Sequence, residues 1–164
     1  MTDRLVLRSD GPEATRAIGA ALAGVLRPGD VVSLAGELGA GKTCLVQGLA
    51  RALGVTERVT SPTFLLVKQY DAALPVVHCD VYRLDRVDEL ADLGDDVLAP
   101  DVLTLVEWGD AVEAALPADR LDVVLTFEGD DETAPRLLTL TGRGAVADRS
   151  AELAAALEAW RAAA

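Results

Sequence analysis

The chain has 164 residues, of which 51% are hydrophobic, so it is long enough and apolar enough for one packed domain and is not expected to be disordered. Its 27 acidic residues outnumber its 15 basic residues and give a net charge of −12, which disfavours direct binding to DNA or RNA. No apolar run approaches the roughly 20 residues that span a bilayer, and two cysteines cannot form a disulfide framework. Because the first residues also lack the apolar region of a signal peptide, we expect a cytoplasmic protein with no membrane association.

Apolar periodicity in the first third of the chain predicts strands and helices in alternation. A short strand over 5–7 precedes a helix that starts near Pro12, because cap residues, a proline and an acid stand together over 9–13. A buried strand over 30–35 precedes a second helix that ends near Gly54. The helical spacing is carried by Ile18, Leu22, Val25 and Leu26 in the first helix and by Leu45, Val46, Leu49 and Leu53 in the second.

The rest of the chain predicts further strands with short helices between them. The predicted elements are an antiparallel hairpin of strands over 64–70 and 76–82, short helices within 86–99 and 110–116, strands over 102–106, 121–127 and 137–141, and an Ala-rich C-terminal helix within 146–164. Residues 1–164 are therefore predicted to form a single α/β domain, with a mixed parallel and antiparallel sheet flanked by helices.

Residues 36–43 match the phosphate-binding pattern G-x-x-x-x-G-K-[ST] in full. They are Gly36, Glu37, Leu38, Gly39, Ala40, Gly41, Lys42 and Thr43. The glycines let backbone N–H groups approach phosphate oxygens, Lys42 supplies a cation for the β- and γ-phosphates, and Thr43 offers a hydroxyl to Mg²⁺. The loop lies between a predicted strand and the N-terminus of a predicted helix, where the helix dipole also favours an anion. The sequence therefore predicts a P-loop NTPase-like domain that binds a nucleotide.

A P-loop protein needs a further acidic group to hold Mg²⁺, and two carboxylates follow predicted strands. Asp80 follows a mostly apolar run, as a Walker B acid does, and Glu107 closes the next buried strand. Each could ligate Mg²⁺, and Glu107 could instead orient the attacking water, although a charged strand end in solvent would give the same pattern. His78 lies two residues before Asp80, on the same face of the strand. As the only histidine, it is expected to be a core or supporting residue rather than a zinc ligand.

Two further features lie outside the P-loop. One is a polar segment after the P-loop helix, which consists of Ser61, Pro62, Thr63 and Phe64. Its hydroxyls could sense a γ-phosphate as switch loops do, and a turn with capping hydroxyls would look the same. The other is Trp108, which directly follows Glu107 and could pack beside the nucleotide, against a partner, or in the core.

Together these motifs resemble the TsaE (YjeE) family of bacterial P-loop ATPases, which take part in making threonylcarbamoyladenosine in tRNA. The resemblance extends over about residues 13–140. Its parts are E-x-T at Glu13 to Thr15, a Walker A with (D/E)-L-G-A in its middle, S-P-T-F from Ser61 followed by Tyr70, H-x-D-x-Y-R-L from His78, and the pair Glu107 and Trp108. Walker A alone is common, whereas this combination at these spacings is specific. The chain departs from the family at Cys44, Val81 and Gly109, none of which carries a charged role.

The resemblance implies a role for each matched position. The residues implied to hold the nucleotide are Thr15 (near the adenine), Gly36, Glu37, Leu38, Gly39, Ala40, Gly41, Lys42, Thr43, Cys44 and Trp108. Thr43, Asp80 and Glu107 are the implied Mg²⁺ ligands, and Lys42, Asp80 and Glu107 the implied catalytic groups. The implied switch or partner-facing positions are Ser61, Pro62, Thr63, Phe64, Tyr82 and Arg83.

At the level of function, the resemblance implies an ATPase subunit with ATP or ADP and Mg²⁺ as its cofactors. It would act with the TsaD and TsaB proteins and meet tRNA only through that complex, and its hydrolysis would be slow alone and faster with the partners. Two alternatives stay open. One is a small-molecule P-loop kinase, which usually carries an Arg-rich lid that we do not find here. The other is a nucleotide-dependent interaction module without physiological hydrolysis.

Overall fold

Seven strands form one mixed sheet within the part of the chain that the computed structural model describes, residues 3–62, 66–82, 90 and 94–163. The strands are β1 (Arg4–Ser9), β2 (Val31–Gly36), β3 (Val67–Tyr70), β4 (Val76–Asp80), β5 (Leu103–Glu107), β6 (Arg120–Phe127) and β7 (Arg136–Arg143). The α-helices are α1 (Pro12–Ala23), α2 (Lys42–Ala52) and α3 (Ser150–Ala156). The strand order across the sheet is β1-β7-β6-β2-β5-β4-β3.

The four central strands, β6, β2, β5 and β4, run parallel to one another. The outer strands are antiparallel: β7 pairs with β6 and β1, and β3 pairs with β4. The mixed sheet and the hairpin of β3 with β4 confirm the sequence prediction. Because parallel neighbours end at the same edge of a sheet, the carboxyl ends of β2, β5 and β4 lie together, and this is where α/β proteins bind ligands.

Helices α1, α2 and α3 contribute to a hydrophobic core on one face of the sheet. Its members include Ile18 and Leu22 of α1, Leu45 and Leu49 of α2, Leu153 of α3, and Leu34 and Leu105 of the central strands. The opposite face packs against a 3₁₀ segment, Gly109–Ala115, through Val31, Cys79, Val106 and Val112. Since Leu105 and Val106 enter different cores, β5 is buried on both sides, which explains its continuous apolar sequence.

The C-terminal helix is shorter than the predicted span of 146–164. Helix α3 ends at Ala156, a 3₁₀ turn covers Glu158–Trp160, and Arg161 forms a β-bridge with Leu7. Leu157 is fully buried and has left the helical conformation, with φ −110° and ψ 10°. The backbone N–H of Ala162 donates to the carbonyl of Val6 at 2.9 Å. Burial of Leu157 and pairing with β1 therefore override the helix propensity of the alanines.

Two predictions for the middle of the chain have different outcomes. The predicted helix at 110–116 is 3₁₀ rather than α-helical. Of the predicted short helices within 86–99, residues 86–89 and 91–93 lie outside the described residues, and residues 95–98 form a turn. Within the described ranges, no helix is long and apolar enough to cross a bilayer.

Candidate functional site

The loop between β2 and α2 has the tight backbone that its glycines allow. Gly36 and Gly39 have φ angles of 149° and 81°, in the region that favours glycine. A Cβ on Gly36 would lie 2.6 Å from the carbonyl oxygen of Leu125, so the loop packs directly on β6. The N–H of Ala40 donates to the carbonyl of Glu37 at 3.0 Å and closes the turn. The loop thus connects β2 to the first turn of α2 through a tight turn.

Lys42 is the first residue of α2, and its side chain folds back over this loop. Its Nζ donates to the carbonyl oxygens of Gly36 at 2.6 Å and Glu37 at 3.0 Å, and lies 4.0 Å from the ring centroid of Trp108. Burial lowers the pKa of Lys42, and the carboxylates of Glu107 and Asp80 oppose that shift. The ammonium group is therefore confined at the loop, between a carbonyl pair and an aromatic face.

The two predicted acids end neighbouring strands and face each other. The parallel register of β4 and β5 pairs Asp80 with Glu107, and both side chains are buried, with 4% and 2% of their surface exposed. Buried carboxylates require hydrogen-bond partners, because a desolvated charge without them is costly. Neither acid is a strand end in solvent.

Glu107 receives hydrogen bonds from three sides. Thr43 Oγ1 donates to its Oε1 at 3.0 Å, and Ser61 Oγ and His78 Nε2 approach its Oε2 at 3.1 Å and 2.8 Å. Burial alone would raise the pKa of Glu107, but the hydrogen bonds from His78, Thr43 and Ser61 and the charge interaction with His78 outweigh it and lower the pKa. The site is thus built to keep this carboxylate ionised.

Ser61 joins the two acids. Its Oγ lies 2.6 Å from Asp80 Oδ2 as well as 3.1 Å from Glu107 Oε2, so one hydroxyl proton serves two carboxylates. The other oxygen of Asp80 accepts the backbone N–H of Tyr82 at 3.1 Å. These contacts fix the Asp80 carboxylate at the end of β4, in the lining of the cavity that Lys42 and Thr43 also line.

His78 supports Glu107 from within the core. It is fully buried, and its Nε2 must carry a proton to bond the carboxylate. Its Nδ1 has no hydrogen-bond partner among the described residues. This hydrogen bond fits the supporting role expected of His78. Among the described residues, no group of three or more His, Cys, Asp or Glu could hold a metal by itself.

A cavity of about 390 Å³ joins these groups. It is lined by Leu38, Gly39, Gly41, Lys42, Thr43, Cys44, Ser61, Asp80, Tyr82, Glu107 and Trp108. Trp108 has a left-handed backbone, with φ 63°, and its ring lies 5.0 Å from that of Tyr82. Tyr82 and Leu38 are exposed by 64% and 86%, so two large, mostly apolar side chains stand at the mouth of the cavity.

Several predicted positions lie elsewhere. Thr15 is buried behind the loop, where its hydroxyl is hydrogen-bonded to that of Ser9 at 2.7 Å and its methyl would lie 3.6 Å from a Cβ on Gly41. It does not line the cavity. Ala40 and Pro62 are buried and Glu37 is exposed. The predicted positions Thr63, Phe64 and Arg83 lie outside the described residues.

Arg136 reaches the loop without having been predicted. Its Nη2 donates to the carbonyl of Gly39 at 3.3 Å, and its guanidinium lies 4.3 Å from the ring centroid of Phe127. It comes from the start of β7, 97 residues after Gly39. No local pattern marks such a contact, since only the pairing of β7 with β6 brings the two together.

A strand, a glycine-rich loop and a helix that carries Lys and Thr, with buried acids on adjacent parallel strands, define the fold of the P-loop NTPases. A family model described as threonylcarbamoyl adenosine biosynthesis protein TsaE matches residues 9–136, and the chain belongs to this TsaE family. Proteins of the family take part in the biosynthesis of threonylcarbamoyladenosine in tRNA.

Relatives and a solved structure agree with this assignment. The tRNA threonylcarbamoyladenosine biosynthesis protein TsaE of Bacillus subtilis is 45% identical over 143 residues, which cover 86% of this chain and 87% of that protein. The protein of the same name from Streptomyces coelicolor is 44% identical over 79% of this chain and 90% of its own length. A crystal structure of YdiB from Bacillus subtilis superposes with a TM-score of 0.75 at 38% identity and covers 97% of both chains.

Proposed function

We propose that this chain binds ATP with Mg²⁺ and hydrolyses it as a subunit of the tRNA threonylcarbamoyladenosine machinery, together with the TsaB and TsaD proteins. The observation that carries the proposal is the meeting of Thr43 with Glu107 beside Lys42 in one cavity. A hydroxyl, a carboxylate kept ionised and a confined ammonium are the groups that a magnesium nucleotide requires.

The residues present fit both ATP and Mg²⁺. The space beside Gly39 is open, since a Cβ there would meet no atom within 4 Å, so phosphate oxygens can approach the backbone. The left-handed backbone at this position also favours glycine. The oxygens of Thr43 and Glu107 are hard ligands, and Mg²⁺ typically uses one or two carboxylates together with substrate phosphates. Magnesium, when bound, would supply neutralisation of charge on the phosphate oxygens.

Different residues of the chain have different roles in the proposed hydrolysis. Lys42 and the N–H groups of the loop stabilise the negative charge that develops on the transferred phosphoryl group. Glu107, which already bonds Thr43, is the acid that we assign to the metal. Asp80 bonds Ser61 and is the acid that we assign to the attacking water. Tyr82 and Leu38, with Trp108 packed beside Tyr82, form the apolar mouth that limits access of bulk water.

The charge of the chain and its family support the proposed role in a complex. A net charge of −12 leaves the isolated chain with little affinity for tRNA, so tRNA is met through the TsaB–TsaD pair, in the cytoplasm where tRNA is modified. Slow hydrolysis by the chain alone, accelerated by the pair, is the expected behaviour. A partner that completes the site would account for the acceleration.

Reconstitution tests the proposal. Threonylcarbamoyladenosine formation is followed over several turnovers with the TsaB–TsaD pair, with and without this chain, and ATP hydrolysis is measured in the same reactions. We expect sustained turnover with the chain present. Equal product without the chain would refute the proposed role. A Glu107→Gln variant that no longer hydrolyses ATP but still supports many turnovers would identify a nucleotide-dependent interaction module instead.

A further inference from the structure

A groove lies on the outer side of the two long helices, away from the candidate site. It is formed by α1, α2 and the connection over 55–59 and encloses about 840 Å³. We call it the α1–α2 groove. The two helices meet closely beneath it, because a Cβ on Gly48 would lie 1.9 Å from the carbonyl oxygen of Arg16. None of its lining residues lines the candidate site.

The lining of the groove holds three arginines and two glutamates, so it is slightly positive on a strongly acidic chain. The acids on its lining already have partners: Glu13 pairs with Arg16 at 2.7 Å, and Glu57 pairs with Lys68 at 3.4 Å. Arg51 and Arg58 also line it, are exposed, and have no ion pair in the ranges that the structure describes. Two guanidinium groups are therefore available here on a molecule with a net charge of −12.

The surface between the arginines is made of small apolar groups. Ala17, Ala20, Ala52 and Val55 line the groove, and the first three are exposed. Small side chains leave room for a polypeptide segment, and their methyl groups offer it apolar contact. A guanidinium group binds a carboxylate with two parallel hydrogen bonds.

We propose that the α1–α2 groove docks an acidic segment of a partner protein, which in the proposed function is a member of the TsaB–TsaD pair. The inference rests on that proposed function for the partner's identity. A protein segment is favoured over RNA because the two exposed arginines of the groove match one or two carboxylates, whereas a nucleic acid backbone needs many cations and would be repelled by the remaining acidic surface.

Hydrogen bonds also connect the groove to the segment that contacts the two acids of the candidate site. Arg16 Nε donates to Gln47 Oε1 at 3.1 Å, and Gln47 Nε2 donates to the carbonyl of Val59 at 3.0 Å. Two residues later the same segment places Ser61 on Asp80 and Glu107. A partner that occupies the groove therefore rests on the segment that positions Ser61, and docking there would raise the rate of hydrolysis.

The test is a charge reversal with a matched control. Arg51→Glu combined with Arg58→Glu is compared with Arg4→Glu combined with Arg161→Glu, which makes the same change of charge at exposed positions outside the groove. Affinity for the purified TsaB–TsaD pair is measured by calorimetry with Mg²⁺ and a non-hydrolysable ATP analogue. We expect Kd to rise at least about tenfold for the groove variant, since like charges at an interface repel, and to change less than about twofold for the control.

Hydrolysis measurements complete the test. Basal ATP hydrolysis should be the same in both variants and the wild type, and the groove variant should regain the stimulated rate at high partner concentration. Equal affinities of groove variant and control would overturn the inference while leaving the proposed function intact. Wild-type chain that binds tRNA alone and loses it on charge reversal, or that self-associates through these arginines, would overturn it as well. A wild type that neither hydrolyses ATP nor sustains modification would instead refute the proposed function.

Discussion

Thr43 Oγ1 donates a hydrogen bond to Glu107 Oε1 over 3.0 Å, although 64 residues separate them in the chain. Thr43 lies in the first turn of α2, and Glu107 ends β5, the parallel neighbour of the strand that leads into the P-loop. The adjacency of β2 and β5 thus decides which acid stands beside the P-loop hydroxyl. Asp80, one strand further out, is connected to the same carboxylate through Ser61.

Replacement of Lys42 by alanine is expected to reduce ATP hydrolysis by about 10²–10³-fold, because one preorganised donor to the developing charge is lost. Lys68, the only other lysine, is half-exposed and pairs with Glu57, so Lys68→Ala is the control and should keep the basal rate. A steady-state phosphate-release assay measures both. Hydrolysis by Lys42→Ala at the wild-type rate would show that the P-loop lysine has no part in the reaction.

Replacement of Ser61 by alanine should lower kcat by about 10–100-fold, the range for a group that orients a metal ligand, with little change in KM for ATP. The hydroxyl holds Asp80 and Glu107 in one arrangement but belongs to neither the P-loop nor a strand. Thr60→Ala, at the exposed neighbouring residue, serves as the control. An increase in KM alone would assign Ser61 to nucleotide binding instead.

Glu107 should make stability depend on pH in a predictable direction. Its pKa is lowered in the folded protein, so the ionised form contributes stability that is fully present above its unfolded pKa of about 4.3 and is lost as the pH falls through the lower, folded pKa. The unfolding free energy of the wild type minus that of Glu107→Gln should therefore be constant above about pH 5.5 and should decrease below about pH 4.3. Urea unfolding at a series of pH values measures it. A difference that is flat down to pH 3, about one unit below the ordinary pKa, would contradict the shift.

The local parts of the site could be predicted from sequence, and the long-range parts could not. The P-loop pattern fixes its own backbone, so Lys42 and Thr43 were predictable from adjacent residues alone. The bond from Ser61 to Glu107 spans 46 residues and the reach of Arg136 to Gly39 spans 97, and both depend on how the strands are ordered. A family motif does not always carry the role of a residue with it: Thr15 was expected near the adenine, but it lies beside Gly41 behind the loop and does not line the cavity.

The C-terminal segment shows the same limit for the fold. Alanines over 151–156 favour a helix, and the helix forms there. Beyond Ala156 the chain turns so that Leu157 is buried and Arg161 meets Leu7, and neither contact leaves a periodic mark in the sequence. Tertiary packing and an available strand edge decide the end of that helix.

The two cysteines should react very differently with a thiol reagent at pH 8. Burial raises the pKa of Cys79 to about 12 and removes it from solvent, whereas Cys44 is partly exposed and lines the cavity. We expect one reactive thiol in the native protein and two after denaturation, with Cys44→Ser abolishing the native reaction. Magnesium ADP should slow the labelling of Cys44. Labelling that is unchanged by the nucleotide would argue against nucleotide binding in this cavity.

Gly48 should be the least replaceable glycine outside the P-loop. A Cβ there would lie 1.9 Å from the carbonyl oxygen of Arg16 and 2.6 Å from its Cα, and backbone atoms cannot move aside as a flexible side chain can. Gly48→Ala should therefore force α1 and α2 apart and cost about 1–3 kcal/mol, despite the better helix propensity of alanine. Gly24→Ala, at φ −69° with its nearest atom 3.4 Å away, is the matched control and should leave stability unchanged or slightly increased. Thermal unfolding decides the matter, because 1 kcal/mol shifts Tm by about 2–4 °C in a chain of this size; equal Tm values for both variants would mean that the helices do not cross as closely as the structure has them.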